Sequence, residues 1–400
     1  MQQTVELLLE RRTLGETGEK LRTRALLVGL LALAFAVGGA LAVPAWKARF
    51  FASYLVAFAW VLSFSLGGLF FVMLQHLVHA GWSVVVRRLA EFFAAVLPLL
   101  AVLALPILLG LGDLYHWTHA EAVAADPVLQ AKAPYLNVPF FLLRFFLYLG
   151  FWSWCARFFT QRSFSQDTTG DVEVTKLLQR RAAPFLIGFA LTLTFAAFDW
   201  LMSLDPHWYS TIFGVYYFAG AVVGFFALLV VLAVSLQRAG FLRRTITVEH
   251  YHDLGKLLFA FVVFWAYIAF SQFMLIWYAN IPEETAWLTR RMSGGFGVIG
   301  LALLFGHFLF PFLVLLPRSI KRSPGVLFYP AAWLVVMHYL DLYWLVMPEV
   351  GSATPHLLDL LLAVGLGGVW LAGFAYLASR HPLACQKDPR LFESLTFENA

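Results

Sequence analysis

Apolar residues in this chain neither alternate with polar ones at the period of a strand nor form the one-sided stripe of a helix on a soluble core. They come in long runs, at about 25–43, 51–75, 90–112, 136–159, 184–204, 210–236, 254–278, 293–316, 324–347 and 355–379. Runs of about twenty apolar residues suffice to cross the hydrocarbon core of a bilayer. In lipid the backbone must satisfy its own hydrogen bonds, so each run is expected to be a helix. The pattern predicts an all-α integral membrane protein. A leader (1–24) and a tail (380–400) flank one membrane domain (25–379) that leaves no room for a separate soluble domain. Within the leader, Val5–Arg12 is expected to form a short helix on the membrane surface.

Polar residues inside the runs are few, and they repeat. Asp199 precedes Pro206 by seven residues near the end of one run, and Asp341 precedes Pro348 by seven near the end of another. A carboxylate at membrane depth costs roughly 2.5–3.5 kcal/mol even on lenient insertion scales, so it is kept for function or compensated by a partner. Helices two to five (about 51–204) can be laid over helices six to nine (about 210–347), with Gly67 and Gly68 matching Gly220 and Gly224. An even number of spans separates the partners, so the copies run in the same sense. This predicts two four-helix bundles as parallel repeats, with the first helix (25–43) and the tenth (355–379) peripheral. Small residues permit close helix approach, and repeat interfaces commonly hold functional sites.

Composition agrees, with 61% hydrophobic and 13% charged residues. The net charge of +5 reports topology and not nucleic acid: of 28 Lys and Arg, 20 fall in segments on the N-terminal side, 5 on the other, and Arg144, Arg157 and Lys256 lie within or at the edges of helices. That asymmetry predicts both termini in the cytoplasm. Cys155 and Cys385 form no paired pattern for a disulfide framework, an iron–sulfur cluster or c-type haem. The segment 113–134, with His116, His119, Glu121 and Asp126, reads as an amphipathic helix at the outer interface, and 160–183 and 237–253 as basic inner loops.

Several polar groups are candidates for moving protons. His338 and Asp341, three apart, share a helix face; with His307, Ser271 and Gln272 they outline a track from mid-membrane outward. The bland reading, in which each group hydrogen-bonds a neighbouring helix, stands beside it. Asp199 is a second proton-path candidate, and Arg144 is its obvious countercharge; a buried Arg–Asp pair of this kind is commonly structural. Gln75, His76, His79, Glu91 and the run Glu249–Asp253 could form proton entrances at the inner helix ends, but ordinary surface groups are the preferred reading. Haem is not expected, because only His307 and His338 offer a pair and they differ in depth. His250 and His252 lack further ligands for a metal. Asn280, Glu283 and Glu284 follow the aromatic belt residues Trp277 and Tyr278 and suggest a surface for an extramembrane partner.

Three stretches carry a resemblance: TFAAFDWLMSLDPHWYSTIFG from Thr194 to Gly214, YLNVPFFLLR from Tyr135 to Arg144, and AFSQFMLIWYANIPEET from Ala269 to Thr285. Together they make the chain, from about Phe50 to Glu349, similar to the ActF-type membrane subunit of bacterial alternative complex III, a quinol:cytochrome c or electron-acceptor oxidoreductase. Its wider relatives are the NrfD/polysulfide-reductase membrane anchors. The resemblance implies a multi-pass subunit of the bacterial inner membrane beside a paralogous quinol-binding membrane subunit. It places haem and iron–sulfur clusters in partner subunits, a multihaem cytochrome c and an iron–sulfur protein, with no cofactor bound by this chain. It also implies a scaffolding role and a proton path through Asp199, His307, His338 and Asp341. Menaquinone or ubiquinone binding by this chain in its own right, and a stand-alone secondary transporter, remain the alternatives.

Overall fold

The computed structural model of the chain describes residues 13–399 apart from 350 and 352. The expected surface helix at Val5–Arg12 lies outside the described residues. Among them, ten helices are long and apolar enough to cross a membrane: α1 (Gly15–Ala42), α2 (Pro44–Leu77), α3 (Val84–Leu109), α4 (Val138–Thr169), α5 (Val172–Leu204), α6 (Phe213–Arg238), α7 (Val248–Ala279), α8 (Gly294–Leu315), α9 (Pro324–Glu349) and α10 (Leu357–Arg380). The structure is thus an all-α, multi-pass membrane architecture. The face bearing the 113–134 segment is called upper below, and the opposite face, where α1 begins and α10 ends, lower.

Helices α2–α5 pack as one ring, and α6–α9 as a second. Contacts of α2 with α6 and α9, and of α5 with α6, join the two. Helices α1 and α10 pack mainly on each other and then on α2. Between the bundles the helices approach closely: a Cβ on Gly67 would lie 2.3 Å from Phe225 Cβ and 3.0 Å from the carbonyl oxygen of Ala221. Lipid tails are as apolar as the side chains, so this proximity stabilises by dispersion contacts and not by removing surface from water.

Local chemistry sets the ends and breaks. Asn137 caps α4 by accepting from Phe140 N–H, and Asp171 caps α5 by accepting from Glu173 N–H. Gly170, at φ 67°, closes α4 in the left-handed conformation. Helices α4 and α5 therefore extend far below the apolar runs, and the expected basic loop 160–183 shrinks to a two-residue turn between Thr169 and Val172. Helix α1 likewise starts at Gly15, inside the expected leader. Helix α3 is interrupted near Val96 and Ala104 because Pro98 and Pro106 lack an N–H and crowd the preceding turn. The expected amphipathic helix at 113–134 is instead a 3-10 turn and two short helices, Ala120–Ala125 and Pro127–Lys132, divided at Asp126–Pro127.

The polar residues expected on the lower surface are mostly buried. Glu91 is fully enclosed, held by Arg87 at 3.3 Å, Arg88 at 3.1 Å and Ser163. Gln75, His76, His250, His252 and Asp253 are buried too. Part of this surface is covered by the segment after α10, which folds back over the lower ends of the helices: Asp388 binds Arg87 at 2.5 Å, Ser394 meets Val85, Trp82 and His250, and Asn399 meets Glu249 and Lys256.

Overpacking the bundle seam is expected to disrupt it. Gly67→Leu should lower the detergent-solubilised melting temperature, by a cost of about 1–3 kcal/mol or more. Phe225→Ala in the same chain should restore part of the loss; a melting temperature unmoved by Gly67→Leu would show that the seam is not tight.

Candidate functional site

The matched carboxylates of the two bundles meet opposite fates. Asp199 is fully buried and receives Arg144 in a two-point contact, Nε to Oδ2 at 2.7 Å and Nη2 to Oδ1 at 3.0 Å. Tyr148 donates its hydroxyl to Oδ2 at 2.8 Å. The Arg144 guanidinium lies 3.9 Å from the ring centre of Tyr135 and 4.2 Å from that of Phe140, which holds it in place. Every unit of charge at this site is answered across α4 and α5.

Asp341, on α9, is equally buried but forms no ion pair among the described residues. Tyr216 of α6 donates its hydroxyl to Oδ1, and Trp265 of α7 donates Nε1–H to Oδ2 at 3.1 Å. Two neutral donors thus replace the cation of the first bundle. A carboxylate held this way keeps its hydrogen bonds without being pinned to one charge state by a neighbouring guanidinium.

Two histidines adjoin it, though not as the expected His–carboxylate pair. His338 shares the face of α9 with Asp341, but its Nε2 reaches Ser63 Oγ of α2 at 2.8 Å. Asp341 turns instead toward α6 and α7. Glycines on α6 make room for both: a Cβ on Gly220 would lie 3.2 Å from Asp341 Oδ2 and 3.3 Å from His338 Nδ1, and one on Gly224 would lie 2.5 Å from the His338 ring. The His307 ring centre is 4.0 Å from that of Trp265. Neither nitrogen of His307, nor Nδ1 of His338, has a hydrogen-bond partner among the described residues. His307 sits in a π-helical stretch, Leu303–Leu309, whose position follows from Pro311: the proline ring crowds the carbonyl four residues back, at His307.

Polar groups continue from Asp341 toward the upper face. Below His338 the buried positions of α9 are Met337, Leu334, Ala331, Pro330 and Leu327, all apolar. Above Asp341, one turn on, the carbonyl of Leu345 accepts from Arg291 Nη2 at 2.7 Å, and Glu349 accepts from the same nitrogen at 2.9 Å. Arg290 bridges Glu349 and Asp205. Asp205 belongs to the Asp-Pro turn after α5 and Glu349 to the Pro-Glu turn ending α9, so the upper ends of both repeats are tied together through one connecting helix, Pro282–Met292. Burial pulls the Arg291 guanidinium down to about 10, opposed by Glu349, and leaves it charged at neutral pH.

That connecting helix roofs a cavity of about 790 Å³ on the flank of the second bundle. Trp287 holds the roof by stacking on Trp208, with ring centres 4.0 Å apart and planes 8° from parallel. The space exists because α8 meets α7 chiefly along its lower half, while its upper half packs on the connecting helix and α9. Tyr216 and Trp265, the two donors to Asp341, line its inner end; Gln272 and Arg291 line it nearer the roof.

The other sequence candidates fall apart from this cluster. Gln272 is buried and faces the cavity, whereas Ser271 is half-buried and lines neither the cavity nor the Asp341 cluster. Asn280, at φ 50°, ends α7 in the left-handed conformation. Glu283 and Glu284 occupy the first turn of the connecting helix, where carboxylates complement the helix dipole. Glu283 is exposed and Glu284 half-buried. His250 accepts from Thr247 N–H at 3.0 Å as part of a helix cap. Among the described residues no three His, Cys, Asp or Glu side chains gather as a metal site. Tyr216, Trp265, Ser63 and Arg291 were not among the sequence candidates; aromatic and small polar residues at those positions look like ordinary helix-packing residues until the partner helices are known.

No protein-family model matches the chain, and no curated protein matches it.

The two carboxylates should respond differently to substitution. Arg144→Leu strands Asp199 and should destabilise the protein by about 3–5 kcal/mol, read as loss of thermal stability in mild detergent. Asp341→Asn keeps an oxygen acceptor and strands no cation, so its cost should stay near the value of a single hydrogen bond, about 1 kcal/mol. Equal destabilisation by the two would contradict the assignment.

Proposed function

We propose that this chain is a membrane subunit of a quinol-oxidising electron-transfer complex, scaffolding the assembly and handling protons at Asp341. The observation that carries the proton role is the contrast between the bundles: Asp199 is neutralised by Arg144, whereas Asp341, at the matched position, is held among the described residues by Tyr216 and Trp265 alone. An enclosed carboxylate without a countercharge is a group that can gain and lose a proton inside the membrane. His338, His307 and Ser63 extend the polar surface inward, and the Arg291–Glu349–Arg290–Asp205 chain extends it to the upper face. Asp199 drops to a structural role in this reading. The place in an electron-transfer complex rests on the three resembling stretches, Tyr135–Arg144, Thr194–Gly214 and Ala269–Thr285. Haem and iron–sulfur centres belong to partner subunits, beside a paralogous quinol-binding membrane subunit, in a bacterial inner membrane with both termini cytoplasmic.

Affinity purification of the tagged chain in mild detergent, with subunit identification and a redox difference spectrum, tests the complex. Co-purification with haem-bearing and iron–sulfur subunits is expected; a colourless, solitary protein would contradict it. For the proton role, Asp341→Asn should abolish proton uptake or release coupled to turnover in reconstituted membranes. Unchanged coupling in a correctly assembled variant would remove Asp341 from the path.

A further inference from the structure

The cavity beside Asp341 has a built interior that the proton reading does not use. Its walls are apolar and aromatic, among them Phe270, Phe273, Ile276, Val298, Leu301 and Phe308. Phe270, Val298 and Leu301 are 60%, 67% and 58% exposed, so the mouth between α7 and the upper half of α8 opens sideways at membrane depth, toward acyl chains and not toward water. Against this wall stand two buried polar side chains, of which Gln272 has an unused donor. Gln272 is 6% exposed; its carbonyl oxygen faces Ser210 Oγ at 3.5 Å, and its amide nitrogen has no acceptor among the described residues. Arg291 is 2% exposed, and its Nε–H, though without a partner among the described residues, is enclosed by protein and does not open on the cavity.

Charge decides what head group fits. The two guanidiniums at the roof, Arg290 and Arg291, are already matched by Asp205 and Glu349. Asp341 lies behind Tyr216 and Trp265, which occupy its oxygens. An anionic head would compete with the existing carboxylates, and a cationic one would find no free carboxylate on the lining. An uncharged head with carbonyl or hydroxyl oxygens would accept from Gln272 without disturbing either pair. Size agrees: a cavity of 790 Å³ falls in the range of about 300–1,000 Å³ typical of small-molecule sites. The wall of α7 from Trp265 to Ile276 spans about 16 Å at the helical rise per residue.

We infer that this cavity is a binding site for a bilayer-borne amphiphile with an uncharged, oxygen-bearing head and an apolar tail. The head lies beneath the roof helix at Gln272, and the tail leaves between α7 and α8 into the lipid. Neutral glycerolipids and isoprenoid quinones share this chemistry. The site stands on the cavity alone, independent of whether Asp341 moves protons.

The test is photolabelling of the full-length chain, purified with whatever subunits accompany it and held in nanodiscs. One arm uses a diazirine-bearing diacylglycerol and the other an azido-ring isoprenoid quinone, with labelled peptides mapped by mass spectrometry. At least one probe should label peptides from α7 or from the connecting helix and upper α8, and excess unlabelled compound should suppress the labelling. Label from the first probe alone identifies a glycerolipid occupant, and from the second alone a quinone. Ala269→Phe fills the cavity and should remove most of the label. Gln272→Leu should weaken competition about tenfold, the order of one lost hydrogen bond. Melting temperatures near that of the parent chain show that both variants fold. Absence of label in the cavity from both probes, or label unchanged by Ala269→Phe, would overturn the proposal. So would a partner helix found filling the mouth in the purified assembly.

Discussion

A carboxylate held at membrane depth must find its compensation within the protein, because the surrounding lipid offers none. The architecture is arranged around two such groups at matched positions. In the first bundle the compensation is complete: Arg144 and Tyr148 bind Asp199 across the α4–α5 contact and fix those helices in register. In the second bundle the compensation is partial. Asp341 receives two neutral donors, and the helices around it depart from regular packing: α6 carries Gly220 and Gly224 to admit the His338 ring, and α8 passes through a π-helical stretch at His307. Duplication of a framework thus leaves one copy free to bear mechanical load while the other acquires polar space.

The departure of α8 from α7 has a second effect. A helix that leaves its neighbour must pack its upper half elsewhere, and here it packs on α9 and the connecting helix Pro282–Met292. The roof is secured by Trp208–Trp287 stacking and by the chain of ion pairs from Asp205 to Glu349. The same few residues therefore hold the repeats together at the upper face and enclose the cavity. At the lower face the segment after α10 plays the corresponding part, with Asp388 on Arg87 and Cys385 against Glu91. Polar groups are enclosed at both ends, but by different means.

Much of this was legible in the sequence. Run lengths gave ten spans, and the shared Asp…Pro spacing pointed to two related bundles, because apolar length and charge at depth are local properties. Arg144 as the countercharge of Asp199 follows from depth alone. What stayed hidden depends on neighbours. Helical spacing puts His338 and Asp341 on one face, yet whether they touch is set by Ser63, Tyr216 and Trp265 on three other helices. Glu91 and His250 look like surface groups until a distant segment folds over them. Helix ends were misplaced where polar helical turns continue past the apolar run, as at Thr169 and Val172. No periodicity announces a cavity, which arises from the divergence of two helices.

The central claim is that Asp341 and not Asp199 exchanges a proton. Infrared difference spectroscopy across a pH step reads this directly through the carbonyl stretch of a protonated carboxyl group. The account predicts a difference band that is lost in Asp341→Asn and retained in Asp199→Asn, with the second variant checked for folding. A band that survives Asp341→Asn, or that disappears only with Asp199, would contradict it.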